Sequence, residues 1–87
     1  MTSRALPRFW RMYDALPAEV RSRARKAYTL FAEDPSHPSL FFKPLRGYDD
    51  TWSVRVDRCY RAVCLRDGES LVWLWIGSHS DFDRDFG

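Results

Sequence analysis

Asp67-Gly68 stands between two apolar runs, Tyr60–Arg66 and Ser70–Gly77, and nothing else in the chain restricts its fold as tightly. A two-residue hairpin turn needs positive φ, which glycine adopts without steric cost, so the dipeptide predicts an antiparallel pair of strands. With Asp67-Gly68 as the loop, Ala62 opposes Trp73 and Arg61 opposes Leu74. One face then carries Tyr60, Ala62, Cys64, Leu71, Trp73 and Trp75. The other carries Arg61, Val63, Leu65, Val72, Leu74 and Ile76. Both faces are apolar, so the ribbon expects cover on both sides. Burying an unpaired guanidinium is costly, which places helical cover over the tryptophan face and leaves the Arg61 face open.

Trp52–Val56 reads as a third strand. A three-residue loop, Asp57-Arg58-Cys59, puts Trp52, Val54 and Val56 on the tryptophan face and sets Arg55 opposite Arg61. A two-residue loop would instead drive Arg55 under the helices, so the longer loop is the one that keeps apolar residues in and polar residues out. Leu40–Leu45 fits a short edge segment, because Pro44 has no amide to give a central strand.

Before these strands the hydrophobic period is helical. Pro7 suits a first helical turn, and Phe9, Met12, Tyr13 and Leu16 follow at the spacing of one face. Pro17 opens a second helix in which Val20, Ala24, Ala27, Tyr28 and Phe31 share a face, and Asp34-Pro35 ends it. The short Leu16-Pro17 link makes the two helices antiparallel neighbours. After the last strand, Ser78 or Ser80 can cap a short helix whose Phe82 and Phe86 lie one turn apart. The expected fold is α+β over residues 1–87 as a single domain. An N-terminal helical hairpin packs on one face of a three- to four-stranded antiparallel sheet, and a short C-terminal helix or turn closes the chain.

A net charge of +2 gives the whole molecule no strong field for nucleic acid, so any basic function has to come from local clustering. Cys59 and Cys64 are expected to face opposite ways, which argues against a disulfide, and they lack a second ligand pair for zinc. No metal or other cofactor is expected. With two cysteines, no apolar run of bilayer length and no leader-like start, a cytoplasmic location away from membranes is expected.

Several segments together resemble one family. Leu16-Pro17 at the helix junction, Asp34-Pro35 after the second helix, Trp52-Ser53-Val54-Arg55-Val56, Tyr60-Arg61-Ala62-Val63 and Trp73-Leu74-Trp75-Ile76-Gly77-Ser78-His79 are similar to the RelE/ParE superfamily of toxins from toxin–antitoxin systems. The likeness runs from about Phe9 to Phe82. It implies a RelE/ParE-like fold whose first strand is short or missing here, and a bacterial toxin held by a cognate antitoxin. In the RelE branch it implies a metal-independent endoribonuclease that cuts mRNA on the ribosome. In the ParE branch it implies a non-enzymatic toxin that binds DNA gyrase, and a third outcome is a decayed relative that only binds its antitoxin.

RNA cleavage through the ribose 2′-hydroxyl needs a base, a proton donor for the leaving 5′ oxygen, and cations for the charge on the phosphorane. Under the resemblance, Arg55 and Arg61 fit the cations, since a planar guanidinium matches phosphate, and His79 is the candidate acid or base. Lys43, Arg46 and Arg58 are candidate contacts to the RNA backbone. Val63, Leu65, Val72, Leu74 and Ile76 are the candidate antitoxin surface. Without the resemblance, Arg55 and Arg61 read as solvated strand residues or partners of an antitoxin carboxylate, and His79 as a turn residue. Phe82 stands near where nuclease members often carry a tyrosine, which favours the gyrase reading.

Overall fold

The computed structural model describes residues 1–87. Five strands form one sheet: β1 (Thr2–Ala5), β2 (Lys43–Pro44), β3 (Thr51–Arg55), β4 (Tyr60–Asp67) and β5 (Ser70–Ser78), in the order β1-β5-β4-β3-β2. The hairpins β2–β3, β3–β4 and β4–β5 are antiparallel, whereas β1 lies parallel to β5. The first strand is therefore present, and it makes the sheet mixed and five-stranded rather than three- or four-stranded and antiparallel. Thr-Ser-Arg-Ala offers no hydrophobic alternation to announce a strand. What it does have is the open edge of β5, to which it donates and from which it accepts backbone hydrogen bonds.

Helices α1 (Pro7–Asp14) and α2 (Ala18–Glu33) form the expected antiparallel hairpin. They cover one face of the sheet, burying Phe9 and Phe31 against Val54, Ala62, Cys64, Leu71, Trp73 and Ile76. Pro7 occupies the first turn of α1, and α2 stops at Asp34, before Pro35. A single 3-10 turn, Pro38–Leu40, follows and drives Leu40 into the same core. Helix α3 (His79–Phe86) is capped by Ser78, whose hydroxyl accepts from the Asp81 amide at 3.1 Å.

The final hairpin corrects the predicted register. Asp67 pairs with Ser70, so the loop is Gly68-Glu69 rather than Asp67-Gly68, and Gly68 alone takes positive φ, +59°. Further along, Cys64 pairs with Trp73 but Val63 pairs with Trp75, leaving Leu74 as the extra residue of a β-bulge. Ala62 consequently faces Ile76 and Arg61 faces Gly77, instead of Trp73 and Leu74. One extra residue inverts the parity of everything beyond it. Trp73 stays under α1 and α2, while Trp75 turns to the opposite face and Ile76 takes its place in the core.

Trp75 is the reason the second face is not open. Its ring packs edge-on against Phe82 at 6.0 Å and Phe86 at 5.3 Å, and its Nε1 donates to Asp85 at 3.1 Å. Tyr48, from the turn between β2 and β3, closes over Phe86 at 5.7 Å. The sheet is thus covered on both faces, by the hairpin on one and by α3 with this turn on the other. Val63 is completely buried and Ile76 lies in the opposite core, so the expected aliphatic patch is broken up. Of its members, Leu65 is exposed, and Val72 and Leu74 are half-buried.

Candidate functional site

Arg55 ends β3 and Arg61 lies near the start of β4, and the two are direct cross-strand partners. The three-residue connection works because the Val56 and Asp57 amides both donate to the Tyr60 carbonyl, while the Asp57 carboxylate caps the loop by accepting from the Cys59 amide at 2.8 Å. Direct partners point to the same side of a sheet. The two arginines therefore share the face away from α1 and α2, but Trp75 lies on that face too, so it is not the open face free of tryptophan that the sequence predicts.

They are held apart by different aromatic rings. The Arg61 guanidinium lies over Phe82 of α3 at 5.4 Å, and that of Arg55 over Phe41 at 5.3 Å. Each contact fixes a planar cation at partial exposure, where such stacking contributes roughly 0.5–1 kcal/mol. Phe41 itself sits at φ +46°, the end of the 3-10 turn.

His79 is the first residue of α3 and is tied to the loop before β4 by its amide, which donates to the Cys59 carbonyl at 2.6 Å. This link brings the ring to Arg61, whose Nε donates to His79 Nδ1 at 3.2 Å. An accepting Nδ1 assigns the proton of the neutral ring to Nε2, which stands 3.4 Å from Asp83 Oδ2. The ring also stacks on Phe82 at 6.2 Å. Both imidazole nitrogens are thus engaged, while the terminal nitrogens of Arg61 remain unpaired. Arg61, His79, Phe82 and Asp83 form one cluster, with Arg55 beside it.

The remaining predicted residues spread out. Lys43 pairs with Ser53, two residues before Arg55, and so shares the arginine face by register. Arg46 lies beyond the strand in the turn that carries Tyr48. Arg58 is in the β3–β4 loop, where it lines a cleft of about 460 Å³ with Arg55 and with Arg23 and Lys26 of α2. His37 serves its own turn, its Nδ1 accepting from the Ser39 amide at 3.2 Å.

Asp83 was not among the expected residues, although its i, i+4 spacing from His79 on a capped helix was visible. The aromatic supports Phe41 and Phe82 had no such signal, because only the folded chain brings them under the guanidinium groups. The three aspartates after His79 are individually engaged: Asp83 by His79, Asp81 by Arg84 and the Asp85 carboxylate by both Arg84 and Trp75. The hydrogen bond from Arg84 holds the Asp85 carboxyl below the usual range.

A larger cavity, about 500 Å³, lies elsewhere. It is an apolar groove between α1 and α2, floored by Phe31, Val54 and Trp73 and edged by Trp10, Tyr28, Arg4 and Arg25. Trp10 and Tyr28 are about half exposed on its rim. It holds no cluster of groups that could move a proton, so it reads as a surface for contact rather than chemistry.

Known proteins place this architecture. A family model described as ParE-like toxin domain matches residues 18–84. A search of curated protein sequences gives no significant match. Among solved structures, the chain is similar to the RelB-RelE antitoxin–toxin complex from Methanococcus jannaschii, with TM-score 0.75 and 15% identity over 95% of this chain and 98% of that one. It is similar to YafQ from E. coli strain BL21(DE3), with TM-score 0.72 and 13% identity over 92% and 94% of the two chains. The RelBE2 toxin–antitoxin complex from Mycobacterium tuberculosis gives TM-score 0.70 and 24% identity over 90% and 96%. Helical hairpin, mixed sheet and terminal helix thus agree with these folds along nearly the whole chain, and the matched model covers α2 through α3: the protein belongs to the ParE-like toxin domain family, within the RelE/ParE superfamily.

Proposed function

We propose that this protein is the toxin of a type II toxin–antitoxin system, acting in the cytoplasm to arrest translation by metal-independent cleavage of mRNA on the ribosome. The observation that carries the reading is the contact between Arg61 and His79, which sets a cation and a titratable ring side by side on one accessible face. In this reading the free terminal nitrogens of Arg61, with Arg55, neutralise the charge that builds on the scissile phosphate. His79 exchanges a proton with the 2′-hydroxyl or the leaving 5′ oxygen once Arg61 turns from Nδ1 to the phosphate: with Nδ1 then carrying a proton, Nε2 accepts from the hydroxyl in the neutral ring or donates to the leaving oxygen in the imidazolium. RNA must then displace Asp83 from Nε2, which leaves Asp83 as the group that orients the ring beforehand. Lys43 and Arg46 hold the RNA backbone on the same side.

Purified protein added to ribosomes programmed with a defined mRNA should cut it, with the cut mapped by primer extension. Arg61→Ala and His79→Ala should each slow cleavage by roughly 10² or more, the range for removing a positioned acid–base or charge-stabilising group. Full activity in both variants would reject catalysis at this site.

A second reading, a gyrase-binding toxin, is favoured by Phe82, which has no hydroxyl to offer RNA and instead supports Arg61. Gyrase-dependent DNA breaks with intact mRNA would select it. Under either reading a cognate antitoxin is the expected partner. Leu65, Val72 and Leu74 keep some accessible apolar area for it, but the groove between α1 and α2 offers more.

A further inference from the structure

At Arg55 the sheet has an exposed corner, because β2 pairs only with Trp52 and Ser53 and leaves the end of β3 as the edge. A cleft of about 460 Å³ opens there between α2 and the β3–β4 loop. Four cations line it, Arg23 and Lys26 from α2, Arg55 from β3 and Arg58 from the loop. The single carboxylate present, Asp57, is already engaged, by Arg23 at 3.3 Å and by the Cys59 amide at 2.8 Å. The floor is apolar, with Leu30 and Leu40. Such a surface is not needed by the fold: these cations have no acidic partners beyond Asp57, and like charges so close repel one another unless an anion joins them.

We propose that this cleft is a second RNA contact, in which Arg23, Lys26 and Arg58 take the phosphodiester of a single-stranded nucleotide whose base rests on the apolar floor. The cationic rim over an apolar base matches the two parts of a nucleotide, and the volume suits one such unit rather than a folded partner. Arg55 lines the cleft and also shares the face of Arg61, so one strand could run from the cleft to the cluster of Arg61 and His79 without leaving positive charge. The proposal rests on the RNA reading given above, and it adds a track on α2 that this reading does not require.

The test is fluorescence anisotropy of a fluorescein-labelled single-stranded oligoribonucleotide with the full chain, repeated over a range of salt. Arg23→Ala/Lys26→Ala should bind about tenfold more weakly than wild type, with the slope of log K against log salt reduced by about 1 or more. Arg8→Ala/Arg11→Ala, an equal loss of charge on α1, should change neither. The Arg23–Asp57 pair is exposed, so the variant should melt with the wild type. Equal binding by the α2 variant, an equal drop in the α1 control, or displacement of the RNA by a poly-glutamate peptide at matched charge would overturn the cleft. No RNA binding by the wild type would also overturn it, while ribosome-dependent cleavage is judged separately through Arg61→Ala.

Discussion

Cys64 and Cys59 show how position alone separates two identical side chains. Cys64 is fully buried beneath the helices, and burial pushes its thiol from 9.0 up to about 12, with Arg66 only partly opposing the rise. Cys59 is exposed in the β3–β4 loop. Ellman's reagent at neutral pH should therefore titrate one thiol in the folded protein and two after denaturation. The sign of the pH effect follows from which state loses its proton first. Above pH 9 the unfolded chain ionises Cys64 while the folded chain does not, so the stability contribution of the neutral thiol falls progressively up to about pH 12. Urea denaturation at pH about 8 and about 10.5 should show a steeper loss for wild type than for Cys64→Ala. Parallel losses would mean the thiol ionises in the fold as readily as outside it.

Among elements, the bulge in β5 has the widest consequences. By turning Trp75 outward it supplies the platform for α3, and α3 in turn presents His79 beside Arg61 and Phe82 beneath it. Gly77 belongs to the same device. A β-carbon there would stand 3.0 Å from the Trp75 ring, which is buried and tethered through Asp85. Gly77→Ala is expected to cost about 1–3 kcal/mol, the usual penalty for overpacking. For a domain of this size each kcal/mol lowers Tm by roughly 4–8 °C, which a thermal melt resolves easily. An unchanged Tm would show that the ring moves aside freely. If α3 loosens without global unfolding, the proposed RNA cleavage should fall together with Trp75 packing, because the histidine travels with the helix.

Over the whole molecule, cover on both faces gives each layer a stake in the other. β5 touches β1, β4, α1 and α3, so no element can leave without exposing part of its packing. Far-UV circular dichroism and tryptophan fluorescence should therefore report one coincident unfolding transition in urea. The fluorescence probes are well spread, since Trp73 reports the hairpin face and Trp75 the α3 face. A separate early fluorescence step would identify α3 as an independently melting unit. The charges are also divided by the architecture: the arginine cluster and the basic cleft sit around one corner of the sheet, on a chain whose net charge is only +2.

Local chemistry in the sequence determined the helical hairpin, the three long strands, the pairing of Arg55 with Arg61 and the capped terminal helix. Proline placement, hydrophobic period and loop length act over a few residues and are legible without neighbours. The parallel strand β1, the shifted turn, the bulge at Leu74 and the burial of Val63 were decided by tertiary structure. Strand register is a compromise among all the side chains that share two faces, so a single unpaired residue, favoured by where Trp75 and Ile76 pack best, reverses the alternation that the linear chain implies. The same long-range packing sets His79 against Arg61, eighteen residues away along the chain.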